Sequence, residues 1–312
     1  MNPDTLKEFL EHINIQRQAI YNINDVTPLD NKTAINIKDT TYKYNLPGMA
    51  PENDAVLMIS NEQYPDFINN SVNVINGIAD LLSTECRSVV LEPVSSGSFM
   101  GLSYAIWPKH KPVSNAKILK AIQKRTIAKN VFKWLKDVAS DTFKNKLSNR
   151  EIDTLIRAPI RTLADSPRQS ESVQKKAAHA LEQLDQNEWR PITTLQHSDF
   201  WLGNILIENN HTRNIENPYG FYVIDWGTAF ISGGPATDMV QFCISANTTK
   251  ARALKELIEY CETIGGTIKD IEKYMLVGLG NIGQNLDRFP EERFIEKCSQ
   301  NMLYLQKLLS SK

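Results

Sequence analysis

The chain has 312 residues, of which 41% are hydrophobic and 23% are charged. This is the composition of a globular protein, and it excludes a disordered, collagen-like or low-complexity chain. The 35 basic and 36 acidic side chains leave a net charge of −1, which argues against a nucleic-acid-binding protein that is basic over its whole surface. We expect one large domain or two smaller ones, with enough residues for a buried core.

The sequence carries no targeting or membrane-spanning pattern. No stretch approaches the roughly 20 apolar residues that cross a bilayer, and the N-terminal residues lack the apolar core of a secretion signal. We therefore expect a cytoplasmic protein with no membrane and no nucleic-acid partner. The four cysteines lie far apart without a CxxC pair, which predicts reduced, buried thiols. The five histidines are scattered and form no zinc motif.

The first third of the chain alternates short strand-like runs with one longer helix. A short helix within the first 30 residues precedes strand-like runs at about 33–38, 41–46 and 55–60, each bounded by turn-forming residues. Apolar residues at helical spacing then predict a helix over about 65–83. The stretch 88–110 predicts a strand, a Ser/Gly turn and a second strand.

A Pro-rich break at 107–112 separates this part from a mainly helical remainder. We interpret the break as a hinge, which predicts one domain over residues 1–107 and another over residues 108–312. Helical periodicity dominates beyond the hinge. The predicted helices are centred on 118–138, 177–184, 254–264 and 292–309.

A compact β segment between the second and third of these helices carries the most informative polar residues. Asn204–Glu208 and Phe221–Asp225 predict the two strands of a hairpin with a polar loop between them. If the strands pair from the loop end, Asn204 faces Asp225 at the open end of the hairpin. Asp199 then lies on the loop that enters the same end.

Two carboxylates and one amide in so small a volume would repel one another unless a cation lay among them. Oxygen ligands of this kind, few in number, suit a Mg²⁺ ion that also binds substrate phosphates. The spacing therefore predicts a metal–phosphate site formed by Asp199, Asn204 and Asp225. The alternative is that the two aspartates only form turns and that Asn204 only caps a strand.

The sequence HSDFWLGNIL (197–206) resembles the HGDxxxxNIL catalytic loop of the aminoglycoside phosphotransferase and choline kinase superfamily. VIDW (223–226) is similar to the IDW/IDF metal-binding motif of that superfamily, and Gly234–Asp238 is similar to its downstream G-D-P-x-x-D-L signature. The resemblance implies an α+β, two-lobed protein-kinase-like fold, with a small β-rich N-lobe and a larger, mainly helical C-lobe.

The same resemblance implies ATP or another NTP and Mg²⁺ as cofactors, with a hydroxyl group of a small molecule as acceptor. Asp199 would accept or orient the proton of the attacking hydroxyl, while Asn204 and Asp225 would hold Mg²⁺. His197 would brace the loop rather than act as a base, and Asp238 would brace the start of the next helix.

The N-lobe departs from the pattern of the superfamily. Met58 occupies the position where a lysine should contact the α- and β-phosphates, and the following helix offers no acid before Asp80. The candidate nucleotide contacts are Lys38, Lys43 and the hinge residue Trp107. Either Lys38 or Lys43 reaches the phosphates from a neighbouring strand, or nucleotide binding is weak, different or lost.

Two functions are consistent with these residues. The first is an ATP-dependent phosphotransferase that moves the γ-phosphoryl group to a hydroxyl of a small molecule. The second is a kinase-like binding module with weak or no turnover. No Ala-Pro-Glu segment follows Asp225, which disfavours a protein kinase. The sequence leaves the acceptor and the oligomeric state open.

Overall fold

The structure is a computed structural model. It describes residues 3–16, 21–29, 41–50, 53–114, 116–207, 217–286 and 290–310. The strand predicted near 33–38, the candidate Lys38 and the strand end Glu208 lie outside the described residues.

The small lobe is built on a five-stranded antiparallel sheet with the order β1-β2-β3-β5-β4. Its strands are β1 (Thr27–Pro28), β2 (Thr41–Leu46), β3 (Ala55–Ser60), β4 (Ser95–Phe99) and β5 (Leu102–Pro108). The helix α1 (Pro3–Gln16) covers one face, and the helix α2 (Phe67–Ala79) covers the other. The short helix α3 (Thr84–Arg87) follows α2.

Successive side chains of β3 alternate between the face covered by α1 and the face covered by α2. Leu57 and Ile59 pack with Phe9 of α1, whereas Met58 packs with Ile68 of α2. Successive residues of a strand point to opposite faces, so this arrangement confirms the predicted strand. The helix predicted over 65–83 is also confirmed in kind, although α2 is shorter at both ends.

The hairpin that follows differs from the prediction. The Ser/Gly-rich segment is itself the strand β4, and the turn lies at Met100–Gly101, where both residues have positive φ angles of 51° and 75°. The segment predicted as the first strand pairs with the other lobe instead. Leu91 N–H donates to Val223 O (3.1 Å), and Val223 N–H donates to Val89 O (2.8 Å).

The larger lobe is mainly helical, and its predicted helices are confirmed. The four predicted helices are present as α4 (Lys117–Thr142), α7 (Glu171–Asp185), α9 (Lys250–Thr263) and α11 (Glu291–Leu309). The lobe also contains helices that were not predicted, namely α5 (Asn149–Glu151), α6 (Ala158–Ala164), α8 (Thr237–Ser245) and α10 (Ile271–Gly283). A π-helical stretch at Ile152–Arg157 joins α5 to α6. Among the described residues, no helix is both long and apolar enough to cross a membrane.

The core of this lobe surrounds Trp134 of α4. Its ring stacks on Phe200 at 5.7 Å between centroids and meets Trp226 edge-on at 6.3 Å. Apolar residues that lie before residue 107, including Ile78 and Val89, belong to the same core. All four cysteines are buried free thiols, as predicted. The division of the chain at 107/108 stays a prediction.

Two small sheets in the larger lobe carry the segments near the predicted site. The strands β6 (Lys111–Pro112), β8 (Ile205–Ile207) and β9 (Phe221–Val223) form one sheet. The strands β7 (Thr194–Gln196) and β10 (Phe230–Gly233) form the other. The predicted hairpin is therefore present as β8 and β9.

The predicted register of this hairpin is wrong by one residue. Ile205 pairs with Val223, so Asn204 stands opposite Ile224, whose N–H donates to Asn204 O at 3.1 Å. Asn204 ends a 3₁₀ turn and is not part of the strand. Asp225 lies one residue beyond the pair, in a left-handed conformation with φ of 68°.

Candidate active site

The loop that enters β8 is held from behind by a buried carboxylate. Asp238, in the first turn of α8, accepts the His197 N–H at Oδ2 (2.6 Å) and the Ser198 N–H at Oδ1 (3.0 Å). Burial raises the pKa of Asp238, and the two N–H donors act in the opposite direction. Ser198 has a φ of 74°, so these hydrogen bonds stabilise a backbone conformation that a non-glycine residue rarely adopts.

The imidazole of His197 connects this loop to the segment that leads to Asp225. Its Nδ1 lies 3.4 Å from the Asp199 N–H, and its Nε2 lies 2.9 Å from the carbonyl oxygen of Ile224. An acceptor at Nδ1 assigns the proton to Nε2, which then donates to Ile224 O. The ring thus joins the two polypeptide segments that carry the predicted site.

Asp199 is a largely buried carboxylate that faces two cations. Its Oδ1 lies 2.7 Å from Lys297 Nζ and its Oδ2 lies 3.5 Å from Arg293 Nη2, while only 14% of its side-chain surface is exposed. Burial raises the pKa of Asp199, but the charge and hydrogen bond of Lys297 outweigh it, so the pKa lies below its usual value. Asp199 is therefore ionised at neutral pH.

The structure corrects one expectation about charge. A bound metal ion is not needed to make the Asp199 carboxylate tolerable here, because Lys297 and Arg293 of α11 supply positive charge. Sequence reasoning missed both residues. The amphipathic pattern of α11 predicts a helix, but it does not indicate which of its polar residues meets a loop about 100 positions earlier.

Asn204 and Asp225 offer the remaining oxygen atoms. The amide Nδ2 of Asn204 donates to the backbone oxygen of Asp199 (2.9 Å) and lies 3.5 Å from its Oδ2, which leaves the amide Oδ1 for another partner. Asp225 is exposed. An amide oxygen and a carboxylate are hard donors that fit a Mg²⁺ ion shared with phosphates. Within the described ranges no cluster of three His, Cys, Asp or Glu side chains forms a complete metal site.

The N-lobe candidates lie on the sheet face that α2 covers. Lys43 pairs directly with Met58 in the antiparallel register, so the two side chains share a face. Trp107, opposite Val56 on β5, lies on the same face and packs with the Met58 cluster. Lys43 is half-buried, which makes it the described lysine nearest in register to the missing one.

A pocket of about 210 Å³ opens beside Asp199, between α8 and α11. Gln241 and Ser245 of α8 line one side, and the half-exposed indole of Trp201 also lines the pocket. On the α11 side, Asn301 is 2% exposed, and its Oδ1 has no hydrogen-bond partner among the described residues. The pocket therefore offers a polar wall next to a carboxylate.

The family model described as the ecdysteroid kinase-like family matches residues 88–271, more than half of the chain. The chain belongs to the ecdysteroid kinase-like family. The matched residues include the whole segment from His197 to Asp238. No curated protein matches the chain significantly.

Solved structures of small-molecule kinases share the fold of this ecdysteroid kinase-like protein. A thermostable mutant of the aminoglycoside phosphotransferase APH(4)-Ia is 16% identical, with a TM-score of 0.52, over 96% of this chain and 98% of that one. A mutant aminoglycoside 2'-phosphotransferase-IIIa in complex with GDP is 14% identical, with a TM-score of 0.52, over 97% of each chain. Plasmodium vivax ethanolamine kinase is 12% identical, with a TM-score of 0.52, over 99% and 92%.

These similarities confirm the resemblance to the aminoglycoside phosphotransferase and choline kinase superfamily. They also confirm the two-lobed, kinase-like α+β fold. At identities this low they concern the fold alone, so the roles of individual residues rest on the geometry of this chain.

Proposed function

We propose that this protein transfers the γ-phosphoryl group of ATP, or of another NTP, to a hydroxyl group of a small molecule. The observation that carries the proposal is the position of Asp199. Its ionised carboxylate lines the pocket between α8 and α11 and lies 3.5 Å from the amide of Asn204. The Asp199 carboxylate thus lies between a pocket suited to an acceptor and the Asn204 amide, whose oxygen suits a Mg²⁺ ion bound to phosphates. Membership of a kinase-like family supports the same reaction.

Phosphoryl transfer requires mainly that the protein hold the acceptor hydroxyl in line with the γ-phosphate. The acceptor oxygen forms a bond to the γ-phosphorus as the bond from that phosphorus to the β-phosphate oxygen breaks. Asp199 receives the hydroxyl proton. Because the pKa of Asp199 is lowered, it is a weak base, and its main contribution is to orient the hydroxyl until the proton becomes acidic late in the transfer.

Asn204 and Asp225 would hold Mg²⁺, which when bound neutralises charge on the phosphates. His197 and Asp238 hold the loop so that Asp199 and Asn204 keep their relative positions. Lys43 would contact the phosphates in place of the lysine that Met58 replaces, and Trp107, on the same face of the sheet, would contact the nucleotide. Lys38 remains a second candidate. We also propose a cytoplasmic location, consistent with the free thiols.

The test is Mg²⁺-dependent formation of ADP over a panel of sugars, amino alcohols and aminoglycosides. With an acceptor that supports turnover, Asp199→Asn should lower kcat by about 10²- to 10⁴-fold and leave nucleotide affinity unchanged. The matched control is Asp270→Asn. Asp270 pairs with Lys273 at 2.9 Å with 15% of each side chain exposed, and it lies outside the site. Full activity of Asp199→Asn would remove Asp199 from the reaction.

A kinase-like binding module without turnover is the second candidate, and Met58 favours it. The Met58 side chain packs with Ile68 and Ala105, so the usual lysine position is part of an apolar cluster. Thermal unfolding with ATP and Mg²⁺ separates the two functions. A nucleotide at a hundred times its Kd stabilises the folded state by about 2.7 kcal/mol. No stabilisation, together with no turnover, would favour the binding module.

A further inference from the structure

Lys297 makes more contacts with the candidate catalytic loop than a surface lysine would. Its Nζ lies 2.7 Å from Asp199 Oδ1, 2.8 Å from Ser198 O and 3.4 Å from Gln241 Oε1. Only 13% of its side-chain surface is exposed. An ammonium group has three N–H donors, and here each has an oxygen acceptor. Such a buried cation is retained only with specific partners.

The same group of atoms ties two helices to the loop. Gln241 of α8 donates from Nε2 to Ser198 O (3.1 Å) and accepts the Phe200 N–H at Oε1 (3.0 Å). Lys297 of α11 binds both Ser198 O and Gln241 Oε1. The backbone on both sides of Asp199 is therefore fixed by α8 and α11 together.

Lys297 also makes the two carboxylate oxygens of Asp199 unequal. Oδ1 has the short 2.7 Å contact with Lys297. Oδ2 has longer contacts, both at 3.5 Å, with Asn204 Nδ2 and Arg293 Nη2. A contact at that distance is weak, so Oδ2 is the oxygen that can exchange its neighbour for an incoming hydroxyl.

We infer that Lys297 is a positioning residue for the phosphoryl transfer: it holds Asp199 Oδ1 so that Oδ2 faces the acceptor hydroxyl. The inference rests on the proposed function. In the step it serves, the hydroxyl oxygen bonds to the γ-phosphorus, the bond to the β-phosphate oxygen breaks, ADP leaves, and the proton moves to Oδ2. Lys297 keeps its own protons and touches neither substrate.

The experiment compares steady-state kinetics of the full chain carrying Lys297→Met, Lys297→Gln or Lys297→Arg with the unaltered chain. The acceptor is the best one of the panel, or water if ATP hydrolysis alone is seen. The matched control is Lys273→Met, because Lys273 forms an ion pair of similar length and burial with Asp270. Thermal unfolding of every variant separates folding from turnover.

Lys297→Met should lower kcat by about a hundredfold, the cost of a misplaced catalytic group, with the KM for ATP unchanged. Lys297→Gln serves the same purpose if the Met variant does not fold. Lys297→Arg should recover most of the loss, because it retains a positive charge and N–H donors. In an Asp199→Asn background, Lys297→Met should have little further effect, since the two residues act as one unit.

Several results would overturn the role of Lys297. The role is wrong if Lys297→Met has the same kcat as Lys273→Met. It is also wrong if the losses of kcat caused by Lys297→Met and Asp199→Asn add up in the double variant. Faster turnover of Lys297→Met would show that the lysine masks Asp199 instead of positioning it. If the unaltered chain turns over no ATP under any condition, the proposed function fails and this inference fails with it. If that chain is active and Lys297→Met matches it, only the inference fails.

Discussion

Lys43 and Met58 lie opposite each other on β2 and β3, and the proposed phosphate contact of the small lobe depends on this pair. The pairing places both side chains on the face that α2 covers. A lysine on either strand would therefore project from the same side of the sheet. The lysine is missing at position 58, but Lys43, the cross-strand neighbour of Met58, carries the same ammonium group.

We predict that Lys43→Met weakens binding of ATP with Mg²⁺ by at least about tenfold, the factor given by 1.4 kcal/mol. Exchanging the pair, in the double variant Lys43→Met with Met58→Lys, should restore part of the affinity because a lysine returns to the same face. Titration calorimetry measures both. Unchanged affinity of Lys43→Met would assign the phosphate contact to another residue, such as Lys38.

At the residue scale the motif residues could be predicted, and their partners could not. His197, Asp199 and Asn204 stand at fixed spacing in one loop, so their proximity follows from the chain itself. The partner of Asp199 is Lys297, 98 positions later. An amphipathic pattern assigns such a lysine to a solvated face, and only the packing of α11 against the loop shows otherwise.

At the scale of elements, the site hairpin could be predicted but its register could not. Ile205, Leu206 and Ile207 are all apolar, so a slip of one residue leaves the pattern of β8 nearly unchanged. The Ser/Gly-rich strand β4 was hidden for a different reason. Its residues favour turns, and its pairing with β5 along Ser95–Phe99 overrides that preference.

The helix α10 supports the site segment through close backbone packing. Gly278 O accepts a hydrogen bond from Gln196 Nε2 at 3.0 Å, and Gln196 immediately precedes His197. A Cβ atom on Gly278 would collide with the side chain of Thr237, and one on Gly234 would collide with the Gly278 backbone. Both positions therefore require glycine for steric reasons.

We predict that Gly278→Ala lowers the free energy of unfolding by about 1–3 kcal/mol or more, the cost of overpacking. The control is Gly77→Ala in α2, where the nearest atom to an added Cβ is 4.0 Å away. Alanine favours helices, so this change should stabilise by about 0.5–1 kcal/mol. Urea unfolding measures both changes. An unchanged free energy of unfolding in Gly278→Ala would show that α10 can move away from Gly234 and Thr237.

At the scale of the whole molecule, α11 contributes to the pocket from outside the residues that the family model matches. The residues matched by the family model end at 271, before α11 begins. Yet α11 supplies Lys297, Arg293 and Asn301 to the pocket wall. The family match therefore includes the motif loop with Asp199, whereas the other three charged residues of the pocket wall, Arg293, Glu296 and Lys297, come from α11.

Those charges bear on the class of acceptor. Two acids, Asp199 and Glu296, and two bases, Arg293 and Lys297, line the described pocket wall. These four charges sum to zero, and Asp199 is already paired with Lys297, so the wall gives a cationic acceptor no net attraction. A protonated amine loses hydration on entering such a pocket without gaining a partner, whereas an uncharged hydroxyl compound does not bear this cost.

We therefore predict that a neutral sugar has a higher kcat/KM than the amino sugar that differs from it by one protonated amine, by about tenfold. Arg293→Gln removes one positive charge and should narrow the difference, mainly through the KM of the amino sugar. A clear preference of the unaltered chain for the amino sugar would mean that Glu296, and not the two bases, determines the charge that an acceptor meets.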